Sequence, residues 1–173
     1  MVNLKDRIRE IPDFPKKGIL FRDVTTLLLD ADAFRRAVDE VAAKVPLDVD
    51  KIAGIESRGF VLAAAVAYKL HKGLVLIRKP GKLPGKTLRE SYELEYGTDV
   101  VEMHADAVSP GEKVALVDDL IATGGTAEAA CKLIERAGGK VVGAVFLMEL
   151  AGLRGAERLA GRNSSTIVRY EGV

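Results

Sequence analysis

Short apolar runs recur along the chain, and most of them are rich in β-branched residues and uninterrupted by charge. They occupy residues 52–55, 74–77, 114–117, 141–148 and 166–168. Runs of this kind are typical of strands that are buried on both faces of a parallel sheet. Segments with helical periodicity lie between them, so the sequence predicts strands and helices in alternation.

The helical segments carry signals for their own ends. The stretch DADAFRRAVDEVAAKV has apolar residues at helical spacing, and the alanine-rich GFVLAAAVAYKLHKG is predicted to end at Gly73. A third stretch, TAEAACKLIERAGG, is predicted to end at Gly138 and Gly139, a pair typical of a helix C-cap. This alternation predicts an α/β fold in which a parallel twisted sheet is flanked by helices.

One long segment, residues 78–113, interrupts the alternation. It lacks helical periodicity and is rich in proline and glycine. Its stretches SYELEYG and DVVEMHA are predicted to pair as a β-hairpin. An insertion of this length in a compact domain is usually functional or disordered.

The composition narrows the class of protein. The chain has 173 residues, of which 48% are hydrophobic and 29% charged, as in an ordinary soluble domain. A net charge of +1 gives no global attraction to nucleic acid or membrane, and an aromatic content of 5% argues against a surface for stacking bases of single strands. No apolar run reaches the roughly 18 residues of a membrane span. We therefore expect neither nucleic acid nor a membrane as a partner.

The single cysteine, Cys131, excludes an internal disulfide and suits a reducing compartment. It is predicted to be a small buried residue on a helix. The N-terminal stretch MVNLKDRIREIPDFP is charged and lacks the apolar core of a signal peptide. We therefore expect a cytoplasmic protein.

The segment VALVDDLIATGGT, residues 114–126, carries the clearest chemistry. Asp118 and Asp119 follow a predicted strand, at the edge of the sheet where open α/β folds bind ligands. A helix is predicted to begin near Gly125, so its free N–H groups and its dipole face the preceding loop and favour a phosphate. The loop residues predicted to bind that phosphate are Ala122, Thr123, Gly124, Gly125 and Thr126.

This loop differs from two common phosphate-binding motifs. A Walker A loop needs a lysine where Thr126 stands, and the G-x-G-x-x-G spacing is absent. The carboxylates of Asp118 and Asp119 suit the hydroxyls of a sugar, or Mg²⁺ held through its water shell. A ribose 5-phosphate offers both groups at about this separation. A strand-to-helix turn without a ligand is the alternative.

Five segments together resemble the type I phosphoribosyltransferases, and among them the enzymes that act on adenine. They are DFPKKGILFRDVT (13–25), IAGIESRGF (52–60), LIRKPGKLPG (76–85), YELEYGTD (92–99) and VALVDDLIATGGT (114–126). Five such segments in this order are highly specific, and the match runs nearly end to end. One departure is the stretch 162–165, which is more polar than the family pattern.

The resemblance implies a reaction and an architecture. The reaction joins adenine to 5-phospho-α-D-ribose 1-diphosphate (PRPP), giving AMP and diphosphate. Residues 1–173 would form one domain, with a base-binding hood at 1–30 and a long flexible lid hairpin at 79–103. Mg²⁺ would be held mainly by the substrate rather than by a protein metal site, and the enzyme would be a homodimer.

The turn Glu56-Ser57-Arg58-Gly59 is predicted to bind the pyrophosphate that leaves. Exposed N–H groups between a strand and a helix suit an anion, and the resemblance implies a cis peptide between Glu56 and Ser57. A serine-hydrolase elbow is excluded because Ile55 stands where G-x-S-x-G needs glycine. The alternative is a tight turn with a surface arginine.

A basic cluster follows the second predicted strand. Arg78, Lys79 and Lys82 would stabilise the negative charge that develops on the pyrophosphate. The resemblance implies that Arg78 reaches the active site of the neighbouring subunit and that Lys82 lies in the closing loop. It also implies that Arg58 and Lys82 are catalytic. A solvated basic turn is the alternative.

The resemblance also assigns the residues around the base. Glu95, within the lid, would contact the imidazole edge of the purine and accept its proton, a role that suits a carboxylate. Leu20, Phe21 and Tyr96 would surround the adenine, and the backbone of Arg22 would bond to its polar edge. Lid closure would keep water from an oxocarbenium-like state. The alternatives are a solvated Glu95 and a Phe21 that belongs to the core.

Two other functions remain open at this point. A regulator that senses PRPP and binds nucleic acid would need a basic face or an added helix-turn-helix, which the sequence lacks. A transferase for 6-oxopurines usually carries Asp where Ala122 stands. His71 and His104 lack metal-ligand spacing, so we expect structural or surface roles for both.

Overall fold

Strands and helices alternate along residues 3–94 and 97–172, the part of the chain that this computed structural model describes. The strands are β1 (Arg9–Pro12), β2 (Leu20–Asp23), β3 (Lys51–Ile55), β4 (Gly73–Arg78), β5 (Thr87–Glu93), β6 (Thr98–His104), β7 (Lys113–Ile121), β8 (Lys140–Leu150) and β9 (Ser164–Tyr170). The helices are α1 (Thr25–Leu29), α2 (Ala31–Lys44), α3 (Arg58–Leu70) and α4 (Gly125–Arg136). Short 3-10 helices cover Lys5–Arg7, Ala151–Leu153 and Gly155–Leu159.

A seven-stranded sheet, in the order β5-β6-β4-β3-β7-β8-β9, forms the centre of the fold. The five predicted apolar runs supply β3, β4, β7, β8 and β9, and neighbours among these strands pair in parallel. The predicted α/β class with its parallel sheet is therefore confirmed. The hairpin predicted within residues 78–113 is also present, because β5 and β6 pair antiparallel and β6 continues the sheet beside β4.

Helices cover both faces of the centre of the sheet, as strands buried on both sides require. On one face, α2 and α3 pack over a core that includes Ile52 and Val117. On the other face, α4 packs over a core that includes Ala53 and Leu116. Adjacent residues of one strand thus face opposite layers, which follows from the two-residue period of a strand. The run 74–77 differs from the prediction of burial on both faces, because Leu74 and Leu76 of β4 are each 38% exposed while Val75 and Ile77 are buried.

The ends of the helices agree with the sequence at α4 and differ at α3. Helix α4 ends at Arg136, and Gly138 then takes a positive φ of 91° as predicted for its C-cap. Helix α3 ends at Leu70 rather than running to Gly73, which already begins β4. His71 closes α3 in the left-handed conformation, with a φ of 54°, so the predicted stop was three residues late. His71 therefore has the structural role expected for it.

The N-terminal segment forms a small sheet of its own. Strands β1 and β2 pair antiparallel, and Leu4, Val24 and Leu27 of this segment join the core under α2 and α3. This arrangement suits the hood predicted at 1–30, of which residues 1 and 2 lie outside the described residues. The hood is therefore anchored to the main body through buried side chains.

The predicted lid, residues 79–103, is rooted in the main sheet. Val101 and Met103 of β6 are fully buried, and Tyr92 of β5 is 8% exposed. The residues Glu95 and Tyr96 between the two strands lie outside the described residues, so their roles stay predictions, as does the flexibility of the lid.

Three smaller features complete the fold. The polar stretch 162–165 does not prevent pairing of the last strand, since Arg162 bonds to Glu135 of α4 while Ser164 pairs in register with Ala144. Cys131 is buried in α4 as predicted, and burial raises the pKa of its thiol to about 12. Among the helices of the described residues, none has the length and apolarity to cross a membrane.

Candidate active site

A cavity of about 370 Å³ opens at the carboxyl ends of β3 and β7, which are neighbours in the sheet. It is lined by residues 55–58, Lys79 and residues 118–127. The structure thus brings together three segments that are far apart in the sequence: the predicted pyrophosphate turn, the predicted phosphate loop and one residue of the basic cluster. Open α/β sheets bind ligands at this edge.

The phosphate loop leads directly into α4, as predicted. Gly124 caps the helix in the left-handed conformation, with a φ of 81°, and its carbonyl accepts from the Glu128 N–H at 2.9 Å. The first N–H groups of a helix have no partner within it, so those of α4 face the loop and can bind an anion. The side chain of Thr123 is exposed and that of Thr126 is half-buried, which leaves both hydroxyls near the cavity they line.

The 3-10 helix Gly155–Leu159 supports this loop from behind. A Cβ on Gly155 would lie 2.2 Å from the carbonyl oxygen of Ala122, and a Cβ on Gly124 would lie 2.4 Å from the carbonyl oxygen of Gly155. The two glycines therefore allow two backbone segments to touch. Sequence reasoning missed Gly155, because nothing local marks a glycine that contacts a loop some thirty residues earlier in the chain.

The two aspartates at the end of β7 have different environments. Asp118 accepts from the Asp119 N–H through Oδ1 at 2.9 Å, and a Cβ on Gly59 would lie 2.2 Å from that oxygen. Burial and the neighbouring Asp119 carboxylate raise the pKa of Asp118 well above its usual value. Asp119 accepts from Nε of Arg58 at 2.5 Å. Asp119 therefore has a cationic partner within the site.

The turn after β3 has the predicted cis peptide between Glu56 and Ser57. The Glu56 carboxylate binds the end of the neighbouring strand β4. Its Oε2 accepts from Nε of Arg78 at 2.6 Å, and its Oε1 accepts from the Lys79 N–H at 3.0 Å. Burial alone would raise the pKa of Glu56, but these two contacts outweigh it and lower that pKa. The Glu56 N–H donates to the carbonyl of Ile77, so Glu56 supports the basic cluster and its N–H is already used.

The three basic residues separate into two environments. Lys79 lines the cavity, and its Nζ donates to Tyr92 Oη at 2.7 Å and to the Asp99 carboxylate. Arg78 pairs with Glu56 of its own chain, and its Nη1 donates to the carbonyl of Lys82 at 3.3 Å. Lys82 is exposed and is not among the described residues that line the cavity.

The hood approaches the cavity through Phe21. The ring of Phe21 lies 5.5 Å from the guanidinium carbon of Arg58 and packs edge-on against Phe14, with centroids 5.1 Å apart. The next side chain along β2, Arg22, pairs with Glu10 and lies 4.1 Å from the centre of the Tyr170 ring. Successive side chains of a strand face opposite ways, so Phe21 faces the site while Arg22 can offer only its backbone there. Leu20, at the start of β2, is half-buried.

A metal would find few protein ligands here. Within residues 3–94 and 97–172, no group of three or more His, Cys, Asp or Glu residues is arranged to hold a metal ion. His104 also has a structural contact, since Nε2 lies 2.7 Å from the carbonyl oxygen of Pro84.

Comparison with known proteins assigns the class. The model of the phosphoribosyl transferase domain matches residues 25–169. The adenine phosphoribosyltransferase of Agathobacter rectalis is 55% identical over 173 residues, which cover 99% of each chain.

Two solved structures agree with this match. The adenine phosphoribosyltransferase of Thermoanaerobacter pseudethanolicus superposes with a TM-score of 0.94 at 49% identity, over 96% of this chain and 98% of that one. The enzyme of Saccharomyces cerevisiae, solved with an imino-altritol bisphosphate and adenine, superposes with a TM-score of 0.85 at 37% identity, over 95% of each chain.

These matches define an enzyme that transfers a pentosyl group, on the type I phosphoribosyltransferase fold. Within that class, the chain belongs to the adenine phosphoribosyltransferase family. The resemblance that the five sequence segments indicated is thus confirmed.

Proposed function

We propose that this chain transfers the 5-phosphoribosyl group of PRPP to adenine, giving AMP and diphosphate, and so serves purine salvage in the cytoplasm. One observation carries the proposal. A single cavity is lined by the N-terminus of α4, by the strand-to-helix turn with Arg58 and by two aspartates, of which Asp119 bonds to Arg58. These three groups suit the 5-phosphate, the 1-diphosphate and the ribose hydroxyls of one donor.

The donor is bound in three parts. Its 5-phosphate lies on the N–H groups at the start of α4, with the loop residues Ala122, Thr123, Gly124, Gly125 and Thr126. Its hydroxyls bond to Asp119 and Asp118, since carboxylates are strong acceptors. Its pyrophosphate lies on the turn Glu56-Ser57-Arg58, with Lys79 and Lys82, which follow β4, supplying positive charge and Arg78 supplying it from the neighbouring subunit.

The base is bound by the hood and the lid. Phe21 offers its ring to the purine beside Leu20, and the backbone of Arg22 bonds to the polar edge. The carboxylate of Glu95 takes the proton of the imidazole edge as the ring nitrogen attacks, and Tyr96 closes over the base. These roles need the hood and the lid to meet over the cavity.

Loss of the pyrophosphate is the step that the basic residues favour. Cations placed where negative charge develops lower the barrier. Arg58 already bonds to Asp119, so pyrophosphate gives its guanidinium a second anionic partner. Lys82 adds charge from the lid.

The residues present fit Mg²⁺ only as a companion of the donor. The pKa of Asp118 is raised and Asp119 is paired with Arg58, so neither carboxylate is a free inner ligand. Mg²⁺ prefers to keep several waters and bind substrate phosphates, which agrees with a donor that carries the ion in. When bound, it neutralises charge on the diphosphate.

A homodimer is part of the proposal. On β4 the side chains of Leu74 and Leu76 are each 38% exposed while Val75 and Ile77 are buried, and Arg78 shares the face of Leu74 and Leu76. An apolar strand face that leads to an arginine suits a second copy of the chain. Arg78 then lies at the rim of that contact, from which it reaches the neighbouring active site.

The test is a purine panel. The purified chain is incubated with PRPP, Mg²⁺ and either adenine, hypoxanthine or guanine, and nucleotide and diphosphate are measured. We expect AMP and diphosphate in equal amounts with adenine, and at most traces with the 6-oxopurines. Failure to form AMP, or an equal rate with hypoxanthine, would refute the proposal.

A further inference from the structure

The ammonium group of Lys79 connects the cavity to the hairpin. Lys79 lines the cavity, yet its Nζ donates to Tyr92 Oη at 2.7 Å and to the Asp99 carboxylate. Tyr92 Oη in turn donates to Oδ2 of Asp99 at 3.0 Å. The three side chains form a closed triangle, which we call the Lys79 cluster. Since an ammonium has three donors, the hairpin takes two and one remains for an anion in the cavity.

The Lys79 cluster holds the hairpin where backbone pairing does not. Tyr92 and Asp99 are direct cross-strand partners in β5 and β6. The pairing between β6 and β4 involves only Met103 and Glu102, so it ends three residues before Asp99. Beyond that point, the Lys79 cluster ties both strands of the hairpin to the exit of β4. In the sequence, Glu95 follows two residues after Glu93, the last residue of β5.

The same tyrosine also contacts the phosphate loop. A Cβ on Gly125, the first residue of α4, would lie 3.3 Å from Cδ2 of Tyr92 and 3.4 Å from the carbonyl oxygen of Glu93. Tyr92 is 8% exposed, so its ring is held between α4 and the hairpin. The position of the hairpin is therefore fixed against two parts of the cavity at once: the helix N-terminus and Lys79.

The pKa shifts of Lys79 and Asp99 agree with a strong hydrogen bond between them. Burial alone would lower the pKa of Lys79, but the bonds to Asp99 and Tyr92 outweigh it and raise that pKa. The bond from Lys79 lowers the pKa of Asp99. Both groups therefore stay charged at neutral pH, and hydrogen bonds between charged partners are the strong ones.

We propose that Asp99 and Tyr92 are positioning residues for the transfer reaction, acting through Lys79 to hold the ends of β5 and β6 at the cavity that binds the pyrophosphate. The inference rests on the proposed function for the reaction itself. Pyrophosphate bound at Ser57 and Arg58 attracts the remaining donor of Lys79, so binding of the donor substrate and placement of β5 and β6 are coupled. Neither Asp99 nor Tyr92 needs to touch the substrate.

Kinetics of a double-mutant cycle test the proposal. The variants are Asp99→Asn, Tyr92→Phe, Lys79→Ala and the pair Lys79→Ala with Asp99→Asn; Glu93→Gln, an exposed side chain on the same strand, is the control. We expect Asp99→Asn to lower kcat about tenfold or more because a charged hydrogen bond is lost, and to raise the KM for PRPP because donor binding is coupled to the hairpin, with the KM for adenine within about threefold. Tyr92→Phe keeps the ring on Gly125 and should lose less. Glu93→Gln should match the parent.

The decisive comparison is the effect of Asp99→Asn in the parent enzyme and in the Lys79→Ala enzyme. If Asp99 acts through Lys79, Asp99→Asn should cause no further loss in the Lys79→Ala enzyme. If the fold-losses in kcat of the two single variants multiply in the double variant, or if Asp99→Asn keeps the parental kcat, the inference is overturned. Inactivity of the parent with adenine would instead defeat the proposed function, so the two failures differ.

A second readout does not depend on turnover. Amide hydrogen exchange of residues 87–104 is followed with and without inorganic pyrophosphate and Mg²⁺. If binding and hairpin placement are coupled, pyrophosphate should slow amide exchange of these residues in the parent and in Glu93→Gln, and should not slow it in Asp99→Asn. Equal protection in all three variants would show that the hairpin responds without Asp99.

Discussion

Replacing Gly155 by alanine tests whether the loop before α4 binds the 5-phosphate. Gly155 lies outside the cavity, and the 3-10 helix that it begins supports the loop from behind. The added Cβ would lie 2.2 Å from the carbonyl oxygen of Ala122 and 2.8 Å from the backbone nitrogen of Gly124. Both contacts are to backbone, so no side chain can rotate away to relieve them.

The size of the effect follows from these distances. Carbon atoms normally stay about 3.5 Å from such neighbours, so the loop or the 3-10 helix must move by about 1 Å. Overpacking of this kind costs about 1–3 kcal/mol of stability. A misplacement of about 1 Å in a binding site can also cost about 100-fold in rate. We therefore expect kcat/KM for PRPP to fall about 100-fold in the Gly155→Ala enzyme, mainly through KM.

The assay separates the loop from general destabilisation. KM is measured for PRPP and for adenine, together with the unfolding temperature. Gly73→Ala is the matched control, because its Cβ would meet only Lys51 Cγ at 3.6 Å, an ordinary contact. A lowered unfolding temperature with an unchanged KM for PRPP would refute the reasoning, since it would show that displacing the loop leaves donor binding intact.

Three further predictions concern the lid, the dimer and the hood. Glu95→Gln should keep most substrate affinity and lower kcat on the order of 10²–10⁴-fold, as loss of a general base does; steady-state kinetics within about threefold of the parent would remove Glu95 from the mechanism. Leu76→Glu should yield monomers in light scattering, and mixing Arg78→Ala subunits with Glu95→Gln subunits should recover activity if Arg78 acts across the interface. Arg9 and Thr25 lower the pKa of Asp23 from 3.8 to about 2, so its stabilisation is present above about pH 4 and is lost as the pH falls toward 2. The difference in urea midpoint between the parent and Asp23→Asn should shrink over that range.

The sequence predicted what local chemistry determines. A continuous β-branched run has few other ways to be buried, so the parallel strands were identified correctly. The start of α4 at Gly125 was also identified, because the aspartates, the glycines and the helix start are adjacent in the chain; phosphate binding by this loop stays a prediction. Helix α3 shows the limit of such signals, since Gly73 was the obvious stop and His71 took the left-handed position instead.

Contacts between distant segments could not be predicted from the sequence. Gly155 supports a loop that precedes it by some thirty residues. Lys79, which follows β4, bonds to Asp99 on the neighbouring strand β6. Each partner by itself is an ordinary glycine, lysine or aspartate in a turn or strand. Glu56 shows the same limit, because its carboxylate bonds to Arg78 and Lys79 on the neighbouring strand, which only the sheet order reveals.

Direct pairing of β3 with β7 sets the relative positions of the two segments that line the candidate active site. Gly54 lies opposite Val117, so the two aspartates begin one residue past that pair on β7 and the predicted pyrophosphate turn begins two residues past it on β3. Backbone hydrogen bonds between these strands therefore fix the positions from which the two cavity segments begin. Inserting one residue into either strand would shift its end by about 3.3 Å and turn the following side chains to the opposite face. The length of the ligand that fits between the two strand ends is consequently set by the strand register.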